Sequence, residues 1–176
     1  MLMRHESSVL VIVDLQERLM PVIADVDDVV AQAVRLAQVA RIFEVPVIGT
    51  EQTPRKLGSN VEQIKTLCDS TMEKAHFDAS ADGLVGLLPI GRNHVVVAGC
   101  EAHVCVMQTA LGLLEHGLEV WLVQDAVGSR KHSDRDAALS RMRDEGIRIV
   151  TTEMVAFEWS RRSDHAEFRQ TLQLIK

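Results

Sequence analysis

Short apolar runs alternate with longer segments in which apolar residues recur at helical spacing. Each run is apolar at nearly every position, a pattern typical of strands that a parallel sheet buries on both faces. We predict six strands, at Val9–Val13, Val45–Thr50, Thr71–Ala75, Val95–Ala98, Leu118–Val123 and Ile147–Val150.

The segments between these runs predict helices. Asp78 or Ser80 is expected to cap the third helix, and Ser133 or Asp134 the fifth, which Gly146 ends. The predicted helices are Val29–Phe43, Val61–Leu67, Ala79–Leu88, Ala102–His116, a segment ending at Glu145, and Asp164–Leu174. Alternating strands and helices predict an α/β protein with a mostly parallel sheet and helices on both faces. We expect residues 1–176 to form a single domain.

Three residues that could take part in catalysis lie at or just after the ends of predicted strands. Asp14 follows the first strand, Lys74 lies in the third, and Cys105 opens the helix after the fourth. Right-handed crossovers place these ends along one edge of the sheet, where α/β active sites gather. A thiol at a helix start is expected to have a lowered pKa. Each residue also has an ordinary interpretation: a loop cap for Asp14, a surface cation for Lys74 and a small buried apolar group for Cys105.

Composition and charge argue against several classes of function. The chain has a net charge of -6, no Tyr and no extended basic cluster, which argues against a nucleic-acid partner. No apolar stretch reaches the roughly 18 residues of a membrane span, and the N-terminus does not resemble a signal peptide. Three cysteines without framework spacing indicate reduced thiols and a cytoplasmic location. The seven His residues form no metal-binding pair, so we expect neither a metal nor another cofactor.

Several short sequence motifs together resemble those of one protein family. The chain is similar to the isochorismatase-like cysteine hydrolases in VIVDLQ at 11–16, EK at 73–74, GCEAHVCV at 99–106 and a strand ending in DA at 125–126. The similarity runs from about Ser8 to Val155 and covers nearly the whole chain. It implies a three-layer α/β/α fold with a central six-stranded parallel sheet.

The resemblance also implies roles for particular residues. It places an Asp–Lys–Cys triad on Asp14, Lys74 and Cys105, and a non-proline cis peptide between Cys100 and Glu101. The backbone N–H groups of Glu101 and Cys105 would form the oxyanion hole. A nucleophilic Cys favours cleavage of a C–N bond in a small amide-type substrate through a covalent acyl-enzyme.

The segment from Thr50 to Gly58 is more similar to uncharacterised isochorismatase-domain hydrolases than to nicotinamidases, whose metal-binding Asp and His cluster is missing here. Gln16, Glu51 and His103 are candidates for substrate contact; the alternative is that they are solvated, as polar loop residues usually are. Ether hydrolysis of the isochorismatase type and a non-enzymatic interaction role remain open alternatives.

We also expect a homo-oligomer, a dimer at least. The predicted helix around Cys105 carries Val104, Met107 and Leu111 together, and the segment from Met154 to Trp159 adds three large apolar residues. A monomer rarely leaves so much contiguous apolar surface exposed to water. The alternative is that these residues complete the chain's own core.

Overall fold

A computed structural model, which describes all of residues 1–176, contains one six-stranded sheet in the order β3-β2-β1-β4-β5-β6. All five strand pairs are parallel. The strands are β1 (Ser8–Val13), β2 (Val47–Gln52), β3 (Ser70–Lys74), β4 (His94–Cys100), β5 (Glu119–Gly128) and β6 (Arg148–Val150). The predicted fold class and all six strands are therefore confirmed.

Eight α-helices surround this sheet. They are α1 (Val26–Ile42), α2 (Pro54–Leu57), α3 (Glu62–Lys65), α4 (Leu84–Leu87), α5 (Met107–Glu115), α6 (His132–Asp144), α7 (Thr152–Ser160) and α8 (Phe168–Ile175). None of them is both long enough and apolar enough to cross a lipid bilayer.

Several predicted helix boundaries were wrong. The single helix expected over Ala79–Leu88 is a 3-10 turn at Ala79–Asp82 followed by α4, because Gly83 at φ 98° interrupts it. Asp78 does cap this segment, accepting a hydrogen bond from Ser80 N at 2.8 Å. Neither Ser133 nor Asp134 is the cap of α6, which begins at His132 after Lys131. Helix α7 was missed, and α8 begins at Phe168 rather than Asp164.

The core lies in two apolar layers, one on each face of the sheet. Alternate residues of β1 enter opposite layers: Leu10 and Ile12 contribute to one, and Val9, Val11 and Val13 to the other. Every residue of β1 is buried, as expected for a strand that is central and covered on both faces. The uniform apolar pattern of the predicted strands reflects this double burial.

The large apolar residues near the last strand divide between the core and the surface. Trp159 and Val155 are fully buried in one core layer, which Trp121 also enters. Met154 and Phe157 are the exceptions, at 45% and 42% exposure. The alternative that these residues complete the chain's own core therefore holds for Val155 and Trp159, which leaves only Met154 and Phe157 of this segment as exposed large apolar side chains.

A close approach between β1 and β4 fixes the geometry of the carboxyl edge of the sheet, where Asp14 and Cys105 lie. Gly99 has φ +121°, and a Cβ at this position would lie 2.0 Å from the backbone oxygen of Val13. No residue with a side chain fits there without moving the backbone. The chain segments that lead to Asp14 and to Cys105 thus leave the sheet side by side.

A second glycine makes a testable contact. A Cβ on Gly112 in α5 would lie 2.5 Å from one carboxylate oxygen of Asp78. We expect Gly112→Ala to lower the free energy of unfolding by about 1–3 kcal/mol, because the packed site has no room for the methyl group. Urea unfolding measures this change. Gly86→Ala is the matched control, since a Cβ there meets nothing within 4 Å, and an equal loss in both variants would contradict the packing argument.

Candidate active site

Asp14 lies at the carboxyl end of the central strand and is fully buried. Its backbone adopts φ 48°, directing the chain away from the sheet as soon as β1 ends. One carboxylate oxygen, Oδ1, accepts a hydrogen bond from Thr50 Oγ1 at 2.7 Å. The other, Oδ2, lies 2.8 Å from the ammonium nitrogen of Lys74. Oδ2 accepts no well-angled hydrogen bond, so it retains a lone pair for a further proton.

Lys74 ends the outer strand β3, and its long side chain crosses β2 to reach Asp14. Both side chains of the pair are fully buried. Besides Asp14, the ammonium nitrogen lies 2.6 Å from Gln52 Oε1 and 3.4 Å from the backbone oxygens of His76 and Phe77. A buried ion pair is tolerated when hydrogen bonds satisfy its remaining polar atoms, and the acceptors around Nζ meet that condition.

Cys105 follows β4, which pairs with β1 on the side opposite β2 and β3. It lies in a π-helix, Ala102–Val106, that continues into α5. Its sulfur is 3.9 Å from Gln52 Oε1, and Asp14 and Lys74 both act on its titration. The structure therefore brings Asp14, Lys74 and Cys105 together at one edge of the sheet, as the sequence predicts.

The predicted lowering of the Cys105 pKa was wrong. Burial is the largest effect and, with the negative charge of Asp14, raises the pKa of the thiol to about 12, although Lys74 opposes the change. Only 7% of the residue is exposed, so a thiolate would lose most of its hydration. Burial therefore favours the neutral thiol of Cys105 over the thiolate in the free protein.

This raised pKa predicts an unusual alkylation profile. Between pH 7 and pH 10 the rate at which iodoacetamide modifies Cys105 should rise about tenfold per pH unit without a plateau, because the thiolate is the reacting form. Peptide mass spectrometry over time measures this rate separately from those of Cys68 and Cys100. A plateau below pH 8.5, the ordinary thiol range, would contradict the effect of burial.

Glu101 stands between the end of β4 and the π-helix. The Cys100–Glu101 peptide bond is cis, as the resemblance implies. The backbone N–H of Glu101 donates to no acceptor within the chain. Its carboxylate accepts hydrogen bonds from the backbone N and the Nε of Arg130, at 3.1 and 3.0 Å. The side chain is thus occupied, while the N–H remains available.

Gln16 and Glu51 are engaged with the surrounding loops. Gln16 is fully buried; its amide nitrogen donates to the backbone oxygens of Gln52 and Gly58, and its oxygen accepts from Gln52 N at 2.8 Å. Glu51 accepts a hydrogen bond from Asn60 N at 2.8 Å. Neither the Gln16 amide nor this Glu51 oxygen is free, and both side chains hold the backbone at the carboxyl edge of the sheet.

His103 lies at the exposed side of the same helix start. Its Nδ1 is 3.0 Å from Ser129 Oγ and its Nε2 is 4.0 Å from an oxygen of Asp134. The side chain is about one-quarter exposed. A contact between His103 and substrate therefore stays a prediction.

Sequence reasoning missed Gln52 and Thr50 as parts of the site. They are two residues apart in β2, so their side chains leave the strand on the same face. Because β2 lies between β1 and β3, that face meets both Asp14 and Lys74. The sequence did not reveal these two residues because it does not give the order of the strands in the sheet. The apolar pattern alone does not show which strand lies between those that carry Asp14 and Lys74.

The cavities around the site are open rather than enclosed. One of about 450 Å³ adjoins Lys74 and is also lined by Thr53 and Glu73. A larger cavity of about 580 Å³ runs along α1 and contains none of the site residues, so size does not locate the chemistry here. No group of three or more His, Cys, Asp or Glu side chains is arranged to hold a metal ion.

Known proteins share this architecture. The isochorismatase domain model matches residues 8–154. The chain belongs to the isochorismatase family. This family member is 36% identical to isochorismatase domain-containing protein 2 of Danio rerio over 172 residues, covering 97% of the chain and 87% of the relative.

Two solved structures are also similar to this isochorismatase-family chain. The MAR1 ribonuclease of Caenorhabditis elegans superposes with a TM-score of 0.91 at 34% identity, covering 99% of this chain and 92% of the other. YcaC from Pseudomonas aeruginosa, solved with hexane-2,5-diol and covalent acrylamide, gives 0.90 at 25% identity, covering 98% and 91%.

Proposed function

We propose that this chain is a cysteine hydrolase that cleaves a C–N bond of a small amide-type substrate. The observation that carries this proposal is the buried Asp14–Lys74 pair, 2.8 Å apart, beside the thiol of Cys105. A nucleophile, a carboxylate base and a fixed cation in one water-poor site are the groups that covalent acyl transfer requires.

Acylation begins with the neutral thiol. Oδ2 of Asp14 takes the thiol proton as the sulfur forms a bond to the substrate carbonyl carbon, and the carbonyl oxygen becomes negatively charged. The free N–H of Glu101, together with that of Cys105, stabilises this oxyanion. When the tetrahedral intermediate collapses, the C–N bond breaks and Asp14 returns its proton to the leaving nitrogen.

Deacylation uses the same carboxylate. Asp14 removes a proton from a water molecule, whose oxygen attacks the thioester carbon. The C–S bond then breaks, the acid leaves, and the proton on Asp14 returns to the sulfur of Cys105. The ammonium of Lys74 balances the carboxylate charge throughout, since its other acceptors hold it in place.

The similar YcaC structure contains covalent acrylamide, and this supports a reactive group in that protein. We therefore choose acrylamide and a panel of small amides, ureides and carbamates as probes. We expect acrylamide to modify Cys105 and at least one amide to be hydrolysed. Cys105→Ala should fold but lose both reactions, and turnover by this variant at the wild-type rate would overturn the mechanism.

RNA hydrolysis is a second candidate, favoured by the ribonuclease name of the similar C. elegans protein. The net charge of -6 and the low aromatic content argue against it, because RNA-binding surfaces are usually basic. Incubation with labelled RNA, using Cys105→Ala as the control, separates the two activities. Direct assay with isochorismate tests ether hydrolysis. Failure of wild type on all these substrates would favour the interaction role.

We also propose that the chain assembles as a homo-oligomer. The side chains of Met154 and Phe157 are partly exposed neighbours on α7, and Val104, Met107 and Leu111 are only partly buried along the π-helix and α5 that contain and follow Cys105. Light scattering at micromolar concentration should give a mass of at least twice 19.5 kDa. A mass near that of one chain would refute the assembly.

A further inference from the structure

Gln52 stands between the two charged groups and the sulfur, and the mechanism so far gives it no role. Its Oε1 lies 2.6 Å from Lys74 Nζ and 3.9 Å from Cys105 Sγ. No other uncharged side chain makes a polar contact with both residues. Its place at the end of β2, between the strands that precede Asp14 and contain Lys74, makes this bridging contact possible.

The orientation of the Gln52 amide is fixed by its neighbours. Nε2 donates to the backbone oxygen of Ala75 at 2.7 Å, and this bond leaves Oε1 directed at Lys74. A flipped amide would place two donors against an ammonium group, which has only donors of its own. The hydrogen bonds around the side chain therefore select one orientation.

Gln16 fixes the Gln52 backbone in turn. The side-chain amide of Gln16 donates to Gln52 O at 3.1 Å and accepts from Gln52 N at 2.8 Å, so it forms a two-point clamp. Gln16 is fully buried and also donates to Gly58 O at 2.6 Å. A buried amide with its polar atoms satisfied in this way holds its partner rigidly.

We propose that Gln52 is a positioning residue, which holds the Lys74 ammonium beside the thiol while adding no charge of its own. This inference rests on the proposed function, because it assumes that Cys105 is the nucleophile. A neutral acceptor is needed there: Asp14 already supplies one negative charge, and that charge raises the pKa of the thiol. A second carboxylate beside the sulfur would oppose thiolate formation further.

Gln52→Glu tests the charge requirement, because glutamate keeps the size and the acceptor while adding a negative charge. We expect the plot of log alkylation rate of Cys105 against pH to shift upward by about one pH unit at unchanged slope, so the rate at pH 8 falls about tenfold. Gln38→Glu, on the exposed side of α1, is the matched control and should leave the rate unchanged. Loss of packing alone would expose the sulfur and raise the rate at every pH.

Gln52→Met tests the contact with Lys74. This variant keeps a long side chain but cannot accept from the ammonium, and we expect a severalfold slower alkylation at pH 8. In a Lys74→Met background the same change should have little further effect, because residues that act through one contact are not additive. Thermal unfolding of each variant confirms that the compared proteins are folded.

The outcomes separate this inference from the proposed function. An unshifted profile in folded Gln52→Glu, or fully additive effects in the double variant, would overturn the positioning role even if Cys105→Ala abolishes hydrolysis. Conversely, hydrolysis that survives in Cys105→Ala would overturn the proposed function, whatever the Gln52 variants show.

Discussion

Asp14→Asn should lower the hydrolysis rate by about 10²–10⁴-fold, the usual contribution of a general acid–base group. Asparagine has nearly the same shape and can still contact Thr50, but it cannot accept a proton from the thiol or from water. With an activated ester, deacylation should suffer more than acylation. Removing the Asp14 charge removes one cause of the raised pKa of the Cys105 thiol, so Lys74 can favour the thiolate, and a phenolate leaving group needs no proton. We therefore expect the acetyl-enzyme formed from p-nitrophenyl acetate to persist on Cys105, where mass spectrometry detects it.

Asp144→Asn is the control for this experiment, since Asp144 is an exposed carboxylate at the last residue of α6, just before the amino end of β6, whereas Asp14 lies at the carboxyl edge of the sheet. It should hydrolyse the ester at the wild-type rate. If folded Asp14→Asn released acetate as fast as wild type, Asp14 would not be the base in deacylation.

Lys74→Met should lower the free energy of unfolding by about 3–5 kcal/mol, because it leaves the buried carboxylate of Asp14 without its counter-charge. Urea unfolding measures the loss. The ion pair itself need not stabilise the fold, since replacing both members of a buried pair by neutral groups is often nearly neutral. The double variant Asp14→Asn, Lys74→Met should therefore recover much of the stability.

The same double variant should remain inactive, since it lacks the base. Recovery of stability without recovery of activity would show that the pair is retained for chemistry rather than for folding. If the double variant were as unstable as Lys74→Met, the loss would come from packing of the long side chain and not from the unpaired charge.

The strands of the sheet could be predicted from the sequence because most of them are buried on both faces. Runs such as Val9–Val13 and Val95–Ala98 contain no polar position that would suggest a helix, and their order along the chain predicts parallel pairing. The grouping of Asp14, Lys74 and Cys105 followed from the same logic, since parallel strands bring their carboxyl ends to one edge.

The helices could be predicted less reliably than the strands. Helix α7 was missed although Thr151 accepts a hydrogen bond from Met154 N as its cap, because the apolar residues that follow suggested a surface for assembly. The pKa of Cys105 was misjudged for a different reason. Position at a helix start is visible in sequence, whereas the degree of burial, which dominates the titration, depends on packing.

The contacts of Gln16 and Gln52 also depend on strand order. An apolar pattern gives the face on which a residue lies but not the neighbour that it meets. Only the placement of β2 between β1 and β3 makes Gln52 a neighbour of Lys74, although the two are distant along the chain.

The strand order also makes the proposed hydrolysis a reporter of folding. Asp14, Lys74 and Cys105 come from segments far apart in the chain, and they meet only when β3, β2, β1 and β4 are all paired. A partly denatured chain that keeps its helices but loses any of these pairings contains the same side chains and no active site. Enzyme activity followed through a denaturant titration therefore measures the cooperativity of the central sheet, independently of helical signal.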